Sequence, residues 1–467
     1  MDVAQHHLLC PRPHRRLRMP RSRNGCTSSA RGAFVMSARV SVTAIVASFS
    51  ALLAISAGAA LLNESPSVKA ALPCEPGESA VTMASAVPQN IALRLPMASG
   101  ENASHVADTR VDPAFAGVAT AAPVSKPIEI AAAGAATGSH SVAAKAVLPA
   151  PLWANFRDNF IGDDGRVIDD GNGKISHSEG QGYGLLLAAF ADDPVTFRRL
   201  WNWTVTELLI RDDGLAAWRW EPDADPHVTD PNNATDGDIL IAWALMEGAT
   251  RFNEQEYRKA AADIAAAIYE KTTEESAYGR VILPGVHGFR ADNRRDGPVI
   301  NLSYWVFPAF PALAKAAPQY DWNALRDSGV ALMRAARFGK SNLPSDWISL
   351  SGEKPRPANG FPPTFAYNAI RIPLYAAWAK AGDRSDLAPY QALWERAQPS
   401  TVDVMSGRAV QPLGGPGYAA VAGLVACARE GTPFPSSARS SLPDLYYPSA
   451  LQALSVVAAQ EAYSGCR

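Results

Sequence analysis

The densest group of chemically capable side chains in this sequence surrounds Glu179. It lies in residues 176–184, which read SHSEGQGYG. Ser178 is the predicted N-cap of a helix, which puts Glu179 in the first turn and Tyr183 on the same face. Partial burial beside an aromatic ring favours the protonated carboxyl that a general acid needs. The three glycines suit a backbone that a sugar ring approaches closely, or else a backbone packed against another helix.

A second group of acids opens another apolar segment. Residues 232–238 read NNATDGD and run into the apolar residues 239–245. Thr235 is a candidate N-cap. Asp236 and Asp238 lie two positions apart and therefore point in different directions on a helix. We predict different tasks for them, one capping the helix and the other facing a cleft.

A third polar group occupies residues 365–375, which read FAYNAIRIPLY. Arg371 follows Asn368 by three positions and shares its helix face. Pro373 is tolerated because its missing N–H costs nothing in a first turn. Each of the three groups thus opens a helix. In a closed ring of alternating helices, starts that point the same way gather at one rim, and we expect a cleft there.

Aromatic residues are frequent near these three groups. They include Trp201, Trp203, Trp218, Trp220, Tyr304, Trp305 and Trp347. The flat C–H faces of pyranose rings stack on aromatic planes, so a groove of such side chains suits a polysaccharide. The alternative is that each of them is a core residue.

Other chemistries have little support in this sequence. Residues 170–179 resemble positions 3 to 12 of a calcium-binding EF-hand loop, but position 1 is Ile168, where an aspartate ligand is required. The sequence contains no HExxH zinc motif, no GxSxG motif and no phosphate-binding glycine loop. We therefore predict no metal and no cofactor. The net charge of −2 argues against a nucleic-acid partner.

Residues 178–184 and 234–238 together resemble glycoside hydrolase family 8. The resemblance is greatest to the bacterial endoglucanases that accompany cellulose synthase, and it covers residues 150–465. Five further segments carry it: residues 165–169, 284–285, 301–304, 345–347 and 369–371.

The resemblance implies an all-α fold, an (α/α)6 barrel with minor β content, and inverting hydrolysis of β-1,4-glucan. Glu179 would then be the proton donor, and Asp236 the second carboxylate at the cleaved sugar and a candidate base. We expect the substrate to contact eight other residues. These are Tyr183, Trp218, Trp220, Tyr304, Trp347, Tyr367, Asn368 and Arg371.

One position departs from the family pattern. Family members have an aspartate base just before the Ala-Ile-Arg segment, where this chain has Asn368. A neutral amide cannot take a proton from water. Asp236 is the first candidate to replace this base and Asp346 the reserve. The leading hypothesis is an endo-β-1,4-glucanase acting on cellulose-like chains. The alternatives are a non-catalytic glucan-binding toroid, or a chitosanase or xylanase on the same fold.

Helical periodicity dominates the sequence after residue 150. Eleven segments carry apolar residues at spacings of three and four. They are residues 153–160, 180–191, 194–209, 237–250, 254–271, 303–317, 322–337, 366–380, 384–398, 416–428 and 446–461. The best candidate strand lies at residues 278–283. Because no repeat of fixed period is present, the pattern favours a closed helical toroid over an open solenoid.

The first 149 residues differ in composition from the rest. Residues 1–62 combine an arginine-rich leader with a charge-free apolar run at residues 40–62, and residues 63–149 form an Ala/Pro/Ser-rich linker expected to be disordered. All 11 Trp and 13 Tyr fall in the remaining unit, residues 150–467, which is the predicted catalytic domain.

The leader predicts export and a periplasmic or secreted enzyme, with residues 40–62 either cleaved or retained as an inner-membrane anchor. Membrane contact is expected only through that segment. The predicted partners are β-1,4-glucan chains and the cellulose synthase complex. In an oxidising compartment Cys427 and Cys466 either pair or remain free thiols.

Overall fold

The computed structural model describes residues 147–396, 399–440 and 444–466. The leader predicted for residues 1–62 lies outside these residues, and so does the linker up to residue 146. Among the described residues, no helix combines the length and the apolar character needed to cross a membrane.

The described residues contain eleven α-helices, which agree with the eleven predicted segments in number and approximate position. They are α1 (Ala150–Phe160), α2 (Ser178–Phe190), α3 (Pro194–Glu207), α4 (Thr235–Arg251), α5 (Gln255–Lys271), α6 (Phe310–Ala316), α7 (Trp322–Ala335), α8 (Arg371–Trp378), α9 (Ala388–Trp394), α10 (Pro416–Glu430) and α11 (Tyr446–Ala462). The largest differences are the later starts of α6, α8 and α9, since short 3-10 helices precede α6 and α9.

The β content of the described residues is minor, as predicted. The strands are β1 (Ser176–His177), β2 (Arg219–Trp220), β3 (Val228–Asp230), β4 (Thr273–Ser276), β5 (Gly279–Ile282), β6 (Val299–Ile300), β7 (Ile348–Ser349), β8 (Arg356–Pro357), β9 (Thr364–Phe365), β10 (Ser400–Asp403) and β11 (Ala409–Pro412). They form small antiparallel sheets in the order β1-β2-β3, β11-β10-β9, β4-β5 and β6-β7-β8. Strand β5 is the strand predicted at residues 278–283.

The helices form a closed ring. Helix α2 contacts α4, and α4 contacts α6. The 3-10 turn Phe307–Ala309 before α6 contacts α8, α8 contacts α11, and α11 returns to α2. Helices α2, α4, α8 and α11 are buried along almost their whole length, whereas α1, α3, α5 and α7 bury one side only. An apolar inner ring inside an amphipathic outer ring is the predicted toroid.

Glycines let α2 and α4 approach closely. A Cβ atom at Gly182 would lie 2.5 Å from the Cβ of Leu240, and one at Gly237 would lie 2.1 Å from the Oγ of Ser178. The glycines of α2 therefore serve helix packing, which was the alternative to close approach by a sugar. This packing brings the first turns of both helices together.

Both predicted N-caps are wrong by one residue. The N-cap of α2 is His177, whose Nδ1 accepts a hydrogen bond from the Gly180 N–H at 3.0 Å. The N-cap of α4 is Ala234, and the Thr235 hydroxyl instead donates to the carbonyl of Leu283 at 2.7 Å. Ser178 and Thr235 are the first helical residues, so both helices begin one residue earlier than the capping pattern predicts.

Cys427 and Cys466 form a disulfide, with their Cα atoms 6.0 Å apart. It joins α10 to the segment that follows α11. Of the two alternatives left open by the sequence, the structure therefore has the pair.

Candidate active site

A pocket opens where the inner helices begin. It is lined by eight of the ten residues predicted for the site. These are Glu179, Trp218, Asp236, Tyr304, Trp347, Tyr367, Asn368 and Arg371. The ring of helix starts expected from the sequence thus forms one cleft.

Tyr183 and Trp220 do not line this pocket, so their predicted substrate contacts are wrong. Tyr183 has no exposed surface, and its hydroxyl lies 2.7 Å from that of Tyr375. Trp220 packs edge-on against Trp203, and its Nε1–H donates to Glu207 at 3.0 Å. Both rings belong to the core, because helix α8 covers Tyr183 and helix α3 covers Trp220.

The guanidinium of Arg371 lies at the centre of the site. Its Nη1 is 2.7 Å from Glu179 Oε2 and 2.7 Å from Asp236 Oδ2. Burial alone would lower the pKa of Arg371, but Glu179 above all, with Tyr183, Asp236 and Tyr447, raises it well above its usual value. A permanent positive charge therefore holds both carboxylates.

Asp236 is fully engaged by the protein. Its Oδ2 accepts a hydrogen bond from Arg371 Nη1 at 2.7 Å, and its Oδ1 accepts one from the Gly237 N–H at 2.8 Å. Burial raises the pKa of Asp236 to about 6 despite the opposing charge of Arg371. Tyr304, which also lines the pocket, has a pKa raised by burial and by the charge of Asp236.

Asp238 has a different task, as the spacing of the two acids predicted. Its Oδ1 accepts the Ala216 N–H at 2.8 Å, and its Oδ2 accepts from Asn233 Nδ2 at 2.9 Å. Burial raises its pKa to about 7. Neither Asp236 nor Asp238 caps α4, contrary to the prediction for one of them. Asp238 instead ties two loops to the helix.

Asn368 presents a donor to the pocket. Its Oδ1 accepts from Arg371 Nη2 at 2.8 Å. Because a guanidinium has only donors, this contact fixes which end of the amide faces it. The remaining Nδ2 can donate a hydrogen bond but cannot accept a proton.

Asp346, the reserve candidate for the base, does not line the pocket. Its Oδ1 accepts the N–H groups of Ala366 and Ala369, each at 2.9 Å. Burial raises its pKa to about 6. Asp346 therefore holds the loop that carries Asn368.

An aromatic wall lines one part of the pocket. Trp347 stacks on Phe289 with ring centroids 5.7 Å apart and on Phe361 at 4.7 Å. Trp218, Phe361 and Tyr367 are half-buried and keep part of their surface accessible. Sequence reasoning missed Phe289 and Phe361, although Phe289 closely follows residues 284–285, which carried part of the family resemblance.

Sequence reasoning also missed two ionisable residues that line the pocket, Asp169 and His177. His177 lies within the group at residues 176–184, and Asp169 lies in one of the segments that carried the resemblance. In the described residues, no three or more His, Cys, Asp or Glu side chains are grouped so that they could hold a metal ion.

Comparison with solved structures supports the same fold. Endo-beta-1,4-glucanase CMCax from Acetobacter xylinum matches with a TM-score of 0.61 and 37% identity, covering 68% of this chain and 98% of that chain. Endoglucanase Cel10 from Klebsiella pneumoniae, a family 8 glycosyl hydrolase, matches with a TM-score of 0.60 and 36% identity, covering 66% and 98%. The predicted (α/α)6 barrel is confirmed.

Related sequences agree. An endoglucanase from Cellulomonas uda is 41% identical over 248 residues, which are 53% of this chain and 68% of the relative. A probable endoglucanase from Novacetimonas hansenii is 38% identical over 279 residues, 58% of this chain and 81% of the relative. The model of the glycosyl hydrolases family 8 matches residues 127–461. Together with the acids grouped around Arg371, these matches establish that the chain belongs to glycosyl hydrolase family 8.

Proposed function

We propose that this protein is an endo-β-1,4-glucanase that cleaves cellulose-like β-glucan with inversion. The observation that carries the proposal is the pair of carboxylates, Glu179 and Asp236, held by Arg371 beside an aromatic wall. The endoglucanase names of the relatives at 41% and 38% identity support it.

Glu179 is the proton donor in this proposal. Its side chain is 17% exposed, whereas those of Arg371 and Asp236 are each 2% exposed. With Oε2 on Arg371, Oε1 is left to carry a proton to the glycosidic oxygen. Protonation of this leaving oxygen is the task of the acid in an inverting glycosidase.

Asp236 lies too close to Glu179 for the base of an inverting enzyme. Both carboxylates reach the same Arg371 nitrogen at 2.7 Å. Their bound oxygens are therefore nearer each other than the roughly 6.5–9.5 Å that leaves room for a water. We assign Asp236 to positioning of the sugar and of Arg371 and not to water activation.

Because position 368 holds an asparagine and not an aspartate, the attacking water is only weakly activated there. The free amide of Asn368 orients a water by donating a hydrogen bond, but it removes no proton, so the proton of the attacking water passes to solvent water. We infer that the enzyme hydrolyses glucan more slowly than one with an aspartate at this position. The same observation favours the second candidate function, a glucan-binding toroid without catalysis.

Release of reducing sugar from carboxymethylcellulose separates these two functions. The endoglucanase proposal expects measurable release by the wild-type protein, with chitosan and xylan cleaved more slowly. Binding of cello-oligosaccharides with no release by the wild type, together with release by Asn368→Asp, would establish the binding protein instead.

We also propose that the catalytic domain works outside the cytoplasm, in the periplasm or secreted, next to cellulose synthase. The arginine-rich leader before the apolar residues 40–62 supports export. The Cys427–Cys466 disulfide is typical of an oxidising compartment. Cell fractionation tests this: active full-length enzyme found only in the cytosol would contradict it. Co-purification with cellulose synthase from solubilised membranes tests the partner.

A further inference from the structure

A second ionisable pair, Asp169 and His177, lies in the pocket beside the proton donor. The two side chains are 3% and 12% exposed, and His177 Nε2 lies 3.4 Å from Asp169 Oδ2. Asp169 belongs to the loop before α2, and His177 is the N-cap of α2, two residues ahead of Glu179. The mechanism proposed above uses neither of them.

Helix α2 determines where the imidazole of His177 carries its proton. Nδ1 accepts the Gly180 N–H at 3.0 Å and therefore needs its lone pair. The ring proton is then on Nε2, the nitrogen that faces Asp169. His177 thus links the N-terminus of the catalytic helix to one oxygen of Asp169.

The other oxygen of Asp169 is an unused acceptor. Oδ1 is buried and has no hydrogen-bond partner in the described part of the protein. Two N–H groups of the loop are used elsewhere: that of Asp169 donates to the carbonyl of Ile175, and that of Asn172 donates to the carbonyl of Asp169. A buried carboxylate oxygen without a donor costs free energy unless a ligand provides one.

We propose that Asp169 Oδ1 accepts a hydrogen bond from a sugar hydroxyl of the bound glucan, and that His177 positions this carboxylate. The inference rests on the proposed function, since it takes a neutral β-glucan as the ligand. Hydrogen bonds from a hydroxyl to a carboxylate are short and strong, so one such contact contributes substantially to binding. An ammonium group of glucosamine would offer the same donor chemistry, and the experiment separates the two.

Asp169→Asn tests the proposal by changing the acceptor into a donor. The Nε2–H of His177 holds the amide oxygen, so the amide nitrogen turns towards the pocket. The affinity for cellohexaose, measured by calorimetry in a Glu179→Gln background that prevents cleavage, should fall about 10- to 100-fold. The melting temperature should stay the same or rise, because the substitution removes a buried carboxylate oxygen that has no donor and keeps an oxygen for His177.

Asp170→Asn is the matched control. Asp170 is the next residue of the same loop, but its Oδ1 accepts the N–H of Tyr446 at 2.9 Å and it does not line the pocket. Cellohexaose affinity should be unchanged in this variant. Equal affinities in Asp169→Asn and its parent would overturn the inference, and so would a lower melting temperature that accompanies the loss of binding.

Two further measurements address the alternatives. A loss of turnover in Asp169→Asn without loss of affinity would overturn the sugar contact and assign Asp169 to water. Tighter binding of a glucosamine hexamer than of cellohexaose would overturn the hydroxyl assignment. If the Glu179→Gln parent binds no cellohexaose at all, the proposed function itself fails.

The positioning role of His177 has its own test. His177→Asn keeps a side chain that caps helices well and removes the imidazole next to Asp169. It should weaken cellohexaose binding less than Asp169→Asn does, and the double variant should bind as weakly as Asp169→Asn alone. Additive losses in the double variant would remove His177 from this role.

Discussion

At the scale of single residues, one buried guanidinium explains most of the site. Arg371 contacts Glu179, Asp236 and Asn368, with the shortest donor–acceptor distances between 2.7 and 2.8 Å. An arginine suits this position because its fork of fixed donors can hold several acceptors at once. The positions of the acid and of the amide are therefore set by a single side chain.

Glu179→Gln should abolish most hydrolysis. The amide keeps the shape of the side chain and removes the proton that the leaving oxygen needs. Turnover of carboxymethylcellulose should fall by at least about 10²–10⁴-fold, the usual contribution of general acid catalysis. Cello-oligosaccharide binding should persist. Glu207→Gln is the control, because Glu207 contacts Trp220 outside the pocket. Near-normal turnover in Glu179→Gln would show that Glu179 is not the proton donor.

Asn368→Asp should accelerate hydrolysis. A carboxylate at this position would pair with Arg371 and keep one oxygen free to take a proton from water. We expect kcat to rise by at least about 10²-fold, the lower end of general base catalysis. Asn172→Asp is the matched control, since Asn172 also lines the pocket but is not held by Arg371. An unchanged kcat in Asn368→Asp would show that water is activated elsewhere.

At the scale of elements, the close packing of α2 on α4 determines how near the two acids lie. Gly182→Ala would place a Cβ atom 2.5 Å from the Cβ of Leu240 and 3.2 Å from the backbone nitrogen of Ile241. The helices must then separate. We expect a loss of about 1–3 kcal/mol in the free energy of unfolding, as for other overpacked cores, and a lower kcat.

Urea denaturation and initial rates measure both effects of Gly182→Ala. Gly414→Ala is the control, because no atom lies within 4 Å of a Cβ built at Gly414. If Gly182→Ala keeps the stability and kcat of the wild type, the packing of α2 on α4 does not control the site.

At the scale of the whole molecule, the buried acids predict how stability depends on pH. Burial raises the pKa of Asp236 and Asp346 to about 6 and that of Asp238 to about 7, from 3.8. In all three cases the folded state binds protons more tightly than the unfolded state.

These groups stabilise the fold at low pH, and their contribution is lost as the pH rises through the folded-state pKa values. The melting temperature should therefore fall between pH 5 and pH 8 at constant ionic strength, as measured by differential scanning fluorimetry. The carboxyls whose pKa is lowered in the folded state titrate below this range and do not oppose the trend. They include Asp193, Asp213, Asp296, Asp386 and Asp403. A melting temperature that increases with pH would contradict the prediction.

The sequence by itself determined where the helices lie and which of them begin with a group of polar residues. Apolar spacing is a local property with a period close to 3.6 residues, so it located all eleven helices of the described part, although α6, α8 and α9 begin later than predicted. The family resemblance brought Glu179, Asp236 and Arg371 to one site, and the structure confirms that they meet.

Only the tertiary structure decided which side chains face the pocket. Tyr183 has the helical spacing to lie beside Glu179, yet it is buried against Tyr375, which lies 192 positions away. Arg371 likewise meets Asp236 across 135 positions. Local propensity carries no information about such contacts, because the packing of distant helices determines them. The same packing leaves one buried oxygen of Asp169, a residue that lines the pocket, without a donor. It also makes Asn368, by its contact with Arg371, a donor.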